Sequence, residues 1–340
     1  MRVAVGAAWI AAIAWLGLPQ SKPLPVRELL RDIAALTDRE WAAIERGEAV
    51  AKVLETDARE VAVAGAVRIT ASSARLVERY RDIQNLKRSA VVLDVGHIGH
   101  APTAADFARA PLEDYSLDLR DCRPLDCRVR LSEQDINRFH REVNWRSADW
   151  RQRSAMVWRE VLAARVADYV RDGRRGLPVL VNKREPLSVP TELAGLVGEV
   201  RFVGRYAPEL FAYMTEFAPP PPAGGEQTLY WSKEDFGVRP VIRISHQIVY
   251  TNAIRPAALA VVTNQVYADH YLDAALIVTL AIDAAADRPG FYLISVSRAR
   301  TRSLTGLLRT FVRSTVQNRS QDALRKILTT TRASLETSGR

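Results

Sequence analysis

Few residues in this chain could carry acid–base or metal chemistry. The five histidines stand at positions 97, 100, 140, 246 and 270. His246 lies in PVIRISHQIVYT (240–251), where Ile242, Ile244, His246, Ile248 and Tyr250 alternate with their neighbours and share one face of a strand. His270 lies in YADHYLDA (267–274), beside Tyr267, Asp269, Tyr271 and Asp273. If both segments join one sheet, His246, Tyr250, His270, Tyr267 and Asp273 form a His–Tyr–Asp group on an apolar surface. Such a group could orient a polar head group, bind a metal or act as general acid and base. The competing reading is a core histidine whose ring nitrogens bond a backbone carbonyl or a Tyr hydroxyl, and which stays neutral near pH 7. Trp231, in YWSKEDFG (230–237) with Lys233, Glu234 and Phe236, could line a ligand entrance; the alternative is a strand with one wet face and a turn at Gly237.

The remaining histidines offer less. DVGHIGH spaces His97 and His100 as H-x-x-H, but the preceding residues read as strand, where i and i+3 point to opposite faces. No metal site and no cofactor is expected, and His140, between Arg138 and Arg141 on a helix, is a surface residue. Cys122 and Cys127 in DLRDCRPLDCRVRL are the only cysteines. A C-x4-C pair around a Pro-containing turn is, in an oxidising compartment, most simply a local disulfide. The chain lacks G-x-S-x-G, H-E-x-x-H, G-x-x-x-x-G-K-[ST], a strand-borne G-x-G-x-x-G and an EF-hand loop. Most motif-bearing enzyme classes are therefore unsupported.

The elements that must position these residues fall into three stretches. From 22 to 100, PVRELLRDIAAL and TDREWAAIERGEA read as helices, the second with a Thr37–Glu40 capping box and a stop at Gly47. AVAKVL (49–54), REVAVAGAVRIT (59–70) and SAVVLDVGHI (89–98) read as strands, and ASSARLVERYRDI (71–83) as a helix. The stretch 101–225 is mostly helical. Ser132 caps one helix, and SADWRQRSAMVWREVLAARVADYVRDG reads as a second with a Ser147 cap, a Gly173 stop and a stripe of Trp150, Val157, Trp158, Val161, Leu162, Tyr169 and Val170. Pro208 begins a third, and APPPPAGG (218–225) closes the stretch.

From 226 to 340, five strands follow in close succession, which argues for an antiparallel meander. A helical carboxy terminus closes the chain. Its stripes, Leu304, Leu308, Phe311 and Val312, then Leu324, Ile327, Leu328 and Leu335, are offset around the axis and separated by QNRSQ. A kink or two separately packed segments is expected there.

Composition places the whole. The 340 residues are 48% hydrophobic and 26% charged, a globular balance. MRVAVGAAWIAAIAWLGL carries no charge from Val3 to Leu18, which suits the apolar region of a secretory signal over 1–20, with an uncleaved anchor as the alternative. A periplasmic or secreted location follows. Of the net +9, +8 falls in 298–340, where ten Lys and Arg face Asp322 and Glu336. In an exported protein such a tail points to peripheral contact with an anionic membrane, not to nucleic acid; the alternative is a solvated helix face.

The fold class expected is α+β, a curved antiparallel sheet with a long C-terminal helix and a mostly helical insertion. VAVAGAVRITASSARLVERYRDIQNLKRS (61–89) and YLISVSRARTRSLTGLLRTFVRSTVQNRSQDALRKIL (292–328) give the chain an order of elements that resembles the helix-grip fold of the START-like superfamily. There a strand runs into a helix that starts with small residues, and a terminal helix lies across a curved sheet and closes an apolar cavity. The resemblance assigns 22–100 and 226–340 to the helix-grip domain and 101–225 to an insertion. It implies binding of a hydrophobic or amphipathic small molecule or lipid between sheet and helix, with His246, Tyr250, His270, Tyr267, Asp273 and Trp231 as lining residues. The alternatives are an enzyme using His246, His270, Tyr250 and Asp273 in the same cavity as an acid–base or metal-binding group, and a cell-envelope interaction protein acting through the basic segment 298–340.

Overall fold

The computed structural model describes residues 22–89, 91–110, 116–235, 239–285, 287–302 and 309–337. The apolar start at 1–20 and the residues Leu304 and Leu308 lie outside them, as do the side chains of Phe311 and Val312. Helices Val26–Ala34 (α1) and Asp38–Glu45 (α2) come first, and Thr37 and Glu40 cap α2 reciprocally. Strands Val50–Val53 (β1) and Glu60–Ile69 (β2) form a hairpin. Helices Ser73–Arg81 (α3) and Ile83–Leu86 (α4) then lead to Val92–Ile98 (β3).

The middle stretch holds Ser116–Arg120 (α5), Glu133–Glu142 (α6) and Trp150–Asp172 (α7). A two-stranded ribbon of Val179–Leu180 (β4) and Leu187–Ser188 (β5) follows, then Val189–Gly198 (α8) and Pro208–Glu216 (α9). Gly225–Glu234 (β6), Val241–Tyr250 (β7), Ala257–Ala268 (β8), Ala274–Asp283 (β9) and Phe291–Arg300 (β10) come next, and Arg309–Thr337 (α10) ends the described chain.

The architecture is α+β: a curved, open antiparallel sheet ordered β1-β2-β10-β9-β8-β7-β6-β3, with helical insertions and a long terminal helix. Register and the two-residue period sort the strand residues onto two faces. On β7, Ile242, Ile244, His246, Ile248 and Tyr250 share one face, while Arg243, Ser245, Gln247 and Val249 share the other. The first, even-numbered on β7, packs into the largest core cluster with Leu29 and Leu30 of α1, Trp158, Val161, Leu162 and Tyr169 of α7, Leu193 and Leu196 of α8 and Leu210 of α9. The second carries Val249, Leu259, Val261, Leu293, Val63 and Val67 against Leu76 of α3 and Leu324, Leu328 and Leu335 of α10.

The helix α10 approaches β2 closely because β2 offers Gly65 beneath it. A Cβ on Gly65 would sit 2.7 Å from the Val50 carbonyl oxygen and 2.9 Å from Leu328 Cδ1. Here α10 departs from the expected break at QNRSQ: it runs unbroken from Arg309 to Thr337. Leu324, Leu328 and Leu335 recur at spacings that keep them on one face, and Ile327, expected in the same stripe, is 59% exposed. The α7 stripe is buried at Val157, Trp158, Val161, Leu162 and Tyr169, with Trp150 and Val170 partly covered. Its start differs, since the first helical residue is Trp150 with Asp149 at the cap, and the Ser147 hydroxyl bonds Asp149 instead of an α7 amide.

Cys122 and Cys127 form a disulfide across a Cα separation of 4.4 Å. Arg123 N–H to Asp126 O (2.9 Å) and Asp126 N–H to Arg123 O (3.0 Å) pin the enclosed turn.

Two expectations follow. Leu328→Ala lowers the unfolding free energy by about 3 kcal/mol through lost burial and a residual cavity, and Gly65→Ala lowers it by roughly 1–3 kcal/mol through overpacking under α10. Urea titrations in which both variants match the parent would refute this account of the helix–sheet contact. The disulfide closes a short loop and contributes about 2 kcal/mol in the chain-entropy treatment. Thiol titration of unreduced protein should find no free thiol, and Cys122→Ser with Cys127→Ser should lose that increment; a reactive thiol would contradict the bond.

Candidate functional site

His246 sits at the middle of β7, opposite Asn264 on β8 and Leu229 on β6, and is 2% exposed. Its Nδ1 lies 2.7 Å from the Tyr169 hydroxyl and its Nε2 3.1 Å from Gln227 Oε1. Gln227 Oε1 can only accept, so Nε2 carries the proton and Nδ1 accepts from Tyr169. The Tyr169 oxygen in turn accepts from Asn264 Nδ2 at 3.3 Å. Tyr169 and Phe217 also meet the imidazole edge-on, at centroid distances of 5.5 and 6.4 Å. Both ring nitrogens are therefore satisfied inside the core, and burial pushes the imidazole pKa down to about 3.

The other apolar-face candidates are held in separate surroundings. Tyr250 is buried and donates to Glu209 Oε2 of α9 at 3.1 Å, and burial, reinforced by that carboxylate, pushes its phenol up to about 12. Trp231 is fully buried, its Nε1–H donating to Asp106 O at 2.9 Å, so it lines no entrance. Tyr267 packs edge-on against Trp158 and donates to Arg130 O at 2.7 Å.

His270 and Asp273 belong to the turn between β8 and β9, where the 101–225 stretch docks. Arg130 Nη2 pairs with Asp273 Oδ1, both side chains at most 2% exposed. The same guanidinium donates to Leu272 O (2.8 Å) and Tyr271 O (3.0 Å), and Arg302 N–H donates to Asp273 Oδ2 at 2.7 Å. His270 Nδ1 stands 3.1 Å from Asp269 Oδ1, and that same oxygen accepts from Ile242 N–H at 3.0 Å. His246 is held by Tyr169 and Gln227, Tyr250 by Glu209, and Asp273 by Arg130 and Arg302. The expected His–Tyr–Asp group is dispersed, and three of these side chains are locked to partners that fix the fold.

The expected placement beneath the terminal helix also changes. His246, Tyr250, Trp231 and Tyr267 all lie on the face covered by α7 and its neighbours, whereas α10 covers the other face. The cause is the long apolar stripe of α7, which requires a large apolar partner, and the even-numbered side of β7 is the most apolar surface of the sheet.

The α10 face holds the residues that sequence reasoning passed over. Thr228, Gln247, Thr263, Ile277 and Ser297 pair in register from β6 to β10 and form a row across that face. All but the buried Gln247 are half-buried. Tyr230, Ser245 and Gln265 form an adjoining row, and Thr279 and Ser295 bond each other at 3.2 Å on the opposite side of it. Gln265 Oε1 is buried and has no hydrogen-bond partner, which marks an acceptor open to a polar group. The signal for this surface was the odd-numbered set of β7, Arg243, Ser245 and Gln247, which reads as an ordinary wet strand face.

At the end of these rows, Glu234 accepts from Lys87 Nζ (2.9 Å), Arg243 Nη1 (2.8 Å) and the Ser232 hydroxyl (2.8 Å). Burial works against the Glu234 anion, but Arg243 and Lys87 more than offset it and hold its carboxyl well below the usual range. An open cleft of about 410 Å³ lies elsewhere, along the free edge of β1 beside Gln321 and Arg325. Among the described residues no group of three or more His, Cys, Asp or Glu side chains could hold a metal ion, and no helix is long and apolar enough to cross a membrane. No protein-family model and no curated protein matches this chain.

The histidine makes stability pH-dependent in a window of its own. Its folded pKa lies below the ordinary value near 6.5, so the unfolded chain takes up the proton first as pH falls. Stability is complete above about pH 7 and drains between roughly pH 6.5 and 3, at up to about 1.4 kcal/mol per unit. Denaturant titrations should show a loss of about 2 kcal/mol between pH 7 and 5, and His246→Gln should abolish most of it. Equal losses in parent and variant would show that His246 does not control this window.

Proposed function

We propose that this chain is an exported protein that binds an amphipathic small molecule or lipid on the α10 side of its sheet. The observation that carries the reading is the row Thr228, Gln247, Thr263, Ile277 and Ser297. It crosses the centre of an eight-stranded sheet, between α10 over β1 and β2 and α3 over β7 and β8, and all of it but Gln247 stays half-buried. The hydroxyls of Thr228, Thr263 and Ser297 and the apolar Ile277 lie beside Val249 and Val261, and the one amide, Gln247, donates to the Tyr80 carbonyl at 2.8 Å. A surface of convergent polar groups on an apolar border suits a ligand of the same mixed character.

Three further features support the reading. The strand β2 runs into α3 through Ala71, Ser72 and Ser73, and α10 lies against the sheet, an order that favours the START-like resemblance. The Cys122–Cys127 disulfide accords with an oxidising compartment, as does the apolar stretch from Val3 to Leu18. Arg319, Arg325 and Lys326 are exposed on α10 and supply charge for contact with an anionic membrane surface, while Arg298 and Arg300 are spent on Glu60, Glu192 and Glu199 inside the protein.

The test is calorimetric titration with decanol and decanoate. The parent should bind one decyl chain per protein, and Thr263→Trp and Ser297→Trp should each weaken binding at least tenfold with circular dichroism unchanged. Ile254→Trp, outside the row, should bind as the parent does. Absence of binding for both amphiphiles, or binding that ignores both floor substitutions, overturns the proposal.

A further inference from the structure

We infer that the Lys87–Arg243–Tyr230 corner of the α10 face is an anion site, which takes the singly charged oxyanion head of the ligand; this rests on the proposed binding function. Two cations here face one carboxylate. Lys87, Arg243 and Glu234 side chains are 22%, 13% and 5% exposed, so bulk water does little to screen the imbalance. Glu234 consumes one donor from each cation, and the Arg243 Nε–H is buried without a hydrogen-bond partner. Arg243 therefore keeps unspent donors in a rigid fork suited to a carboxylate or phosphate.

The surroundings are those of a built site. Ser232 and Glu234 on β6 and Arg243 on β7 project to the same face as Ser245 and Tyr230, which pair directly across the two strands. Lys87 Nζ stands 5.7 Å from the Tyr230 ring centroid. Tyr230 is 3% exposed, and its phenol lies close enough to both Lys87 and Arg243 to act on their charges. A phenol O–H beside two cations is a donor for the same anion. The corner adjoins the row from Tyr230 to Gln265, so an anion held there would direct its attached chain along the polar floor toward Ile277. One net positive charge selects one negative charge: a carboxylate or a phosphodiester, shared by lipid heads and free metabolites.

Titrations with decanoate, decanol, acetate and inorganic phosphate test the inference. Decanoate should bind the parent at least tenfold more tightly than decanol. Lys87→Gln, which leaves Arg243 to neutralise Glu234, should abolish that preference with decanol affinity unchanged, and Tyr230→Phe should reduce it several-fold. Acetate or phosphate binding in the millimolar range and lost in Lys87→Gln would also support the site, and comparison with decanoate reads the contribution of the chain. Equal binding of decanoate and decanol to the parent overturns the anion site while sparing the wider proposal. If neither decyl compound binds, both fall. A Lys87→Gln variant that loses decanol and decanoate equally would mark Lys87 as structural and also overturn the site.

Discussion

Everything in this structure depends on the fact that an antiparallel strand has two faces and that here both are spoken for. Residue parity on β7 decides what each side chain meets. The even set meets α7 and its neighbours; the odd set meets the space between α3 and α10. A register slip of one residue would bring Arg243 and Gln247 under Trp158 and Tyr169 and send Ile244 and Ile248 to the half-accessible face. The apolar demand of the helical stretch therefore fixes the register, and the register in turn fixes which groups border the proposed ligand.

The helical stretch is fastened as well as packed. Arg130 brings a full charge into a place with almost no exposure, and such a charge is tolerable only when paired and hydrogen-bonded. Asp273 supplies the charge, and the carbonyls of Tyr271 and Leu272 supply the remaining acceptors. The partners all sit in the turn between β8 and β9, so one residue of the middle stretch sets the shape of a sheet turn. Glu60 does similar work on the adjoining strands, pairing with Arg298 and Arg300 of β10, whose outer nitrogens reach Glu199 and Glu192 of the helical stretch. Removal of one member from such a buried pair costs about 3–5 kcal/mol in general, because the survivor is left desolvated and alone. The network specifies position more than it adds stability.

Local rules carried far in this sequence because local physics governs what they describe. The Thr37–Glu40 capping box, the Ser132 cap, the α7 stripe and the meander are set by residues a few positions apart, and each is present. The failures share a cause. QNRSQ reads as a break, yet α10 crosses it because Leu324, Leu328 and Leu335 grip β2 over Gly65, a contact about 260 residues distant in sequence. His246 was legible as a strand residue on an apolar face, and its satisfied state was one of the two open readings. What covers that face depends on tertiary packing that period alone does not encode. The row of Thr228, Thr263 and Ser297 escaped notice because a hydroxyl every second residue is what any wet strand shows; only alignment across five strands makes it a surface.

This division of labour removes an apparent conflict between stability and binding. A sheet whose only core lay beneath α10 would be weakened by Ser245, Gln247, Gln265 and Thr279 at its centre, since each buried polar group costs unless it finds a partner. Here the larger core is on the opposite face, built from α7, α8, α9 and the even-numbered strand residues, and it supplies the burial that a chain of this size needs. The α10 face is thereby free to carry hydroxyls, amides and an unbalanced pair of cations, Arg243 on β7 and Lys87 at the end of α4. His246 belongs to the stabilising side of that division: its ring is consumed by Tyr169 and Gln227, while Arg243 and Ser245, on the opposite face of the same strand, border the proposed ligand.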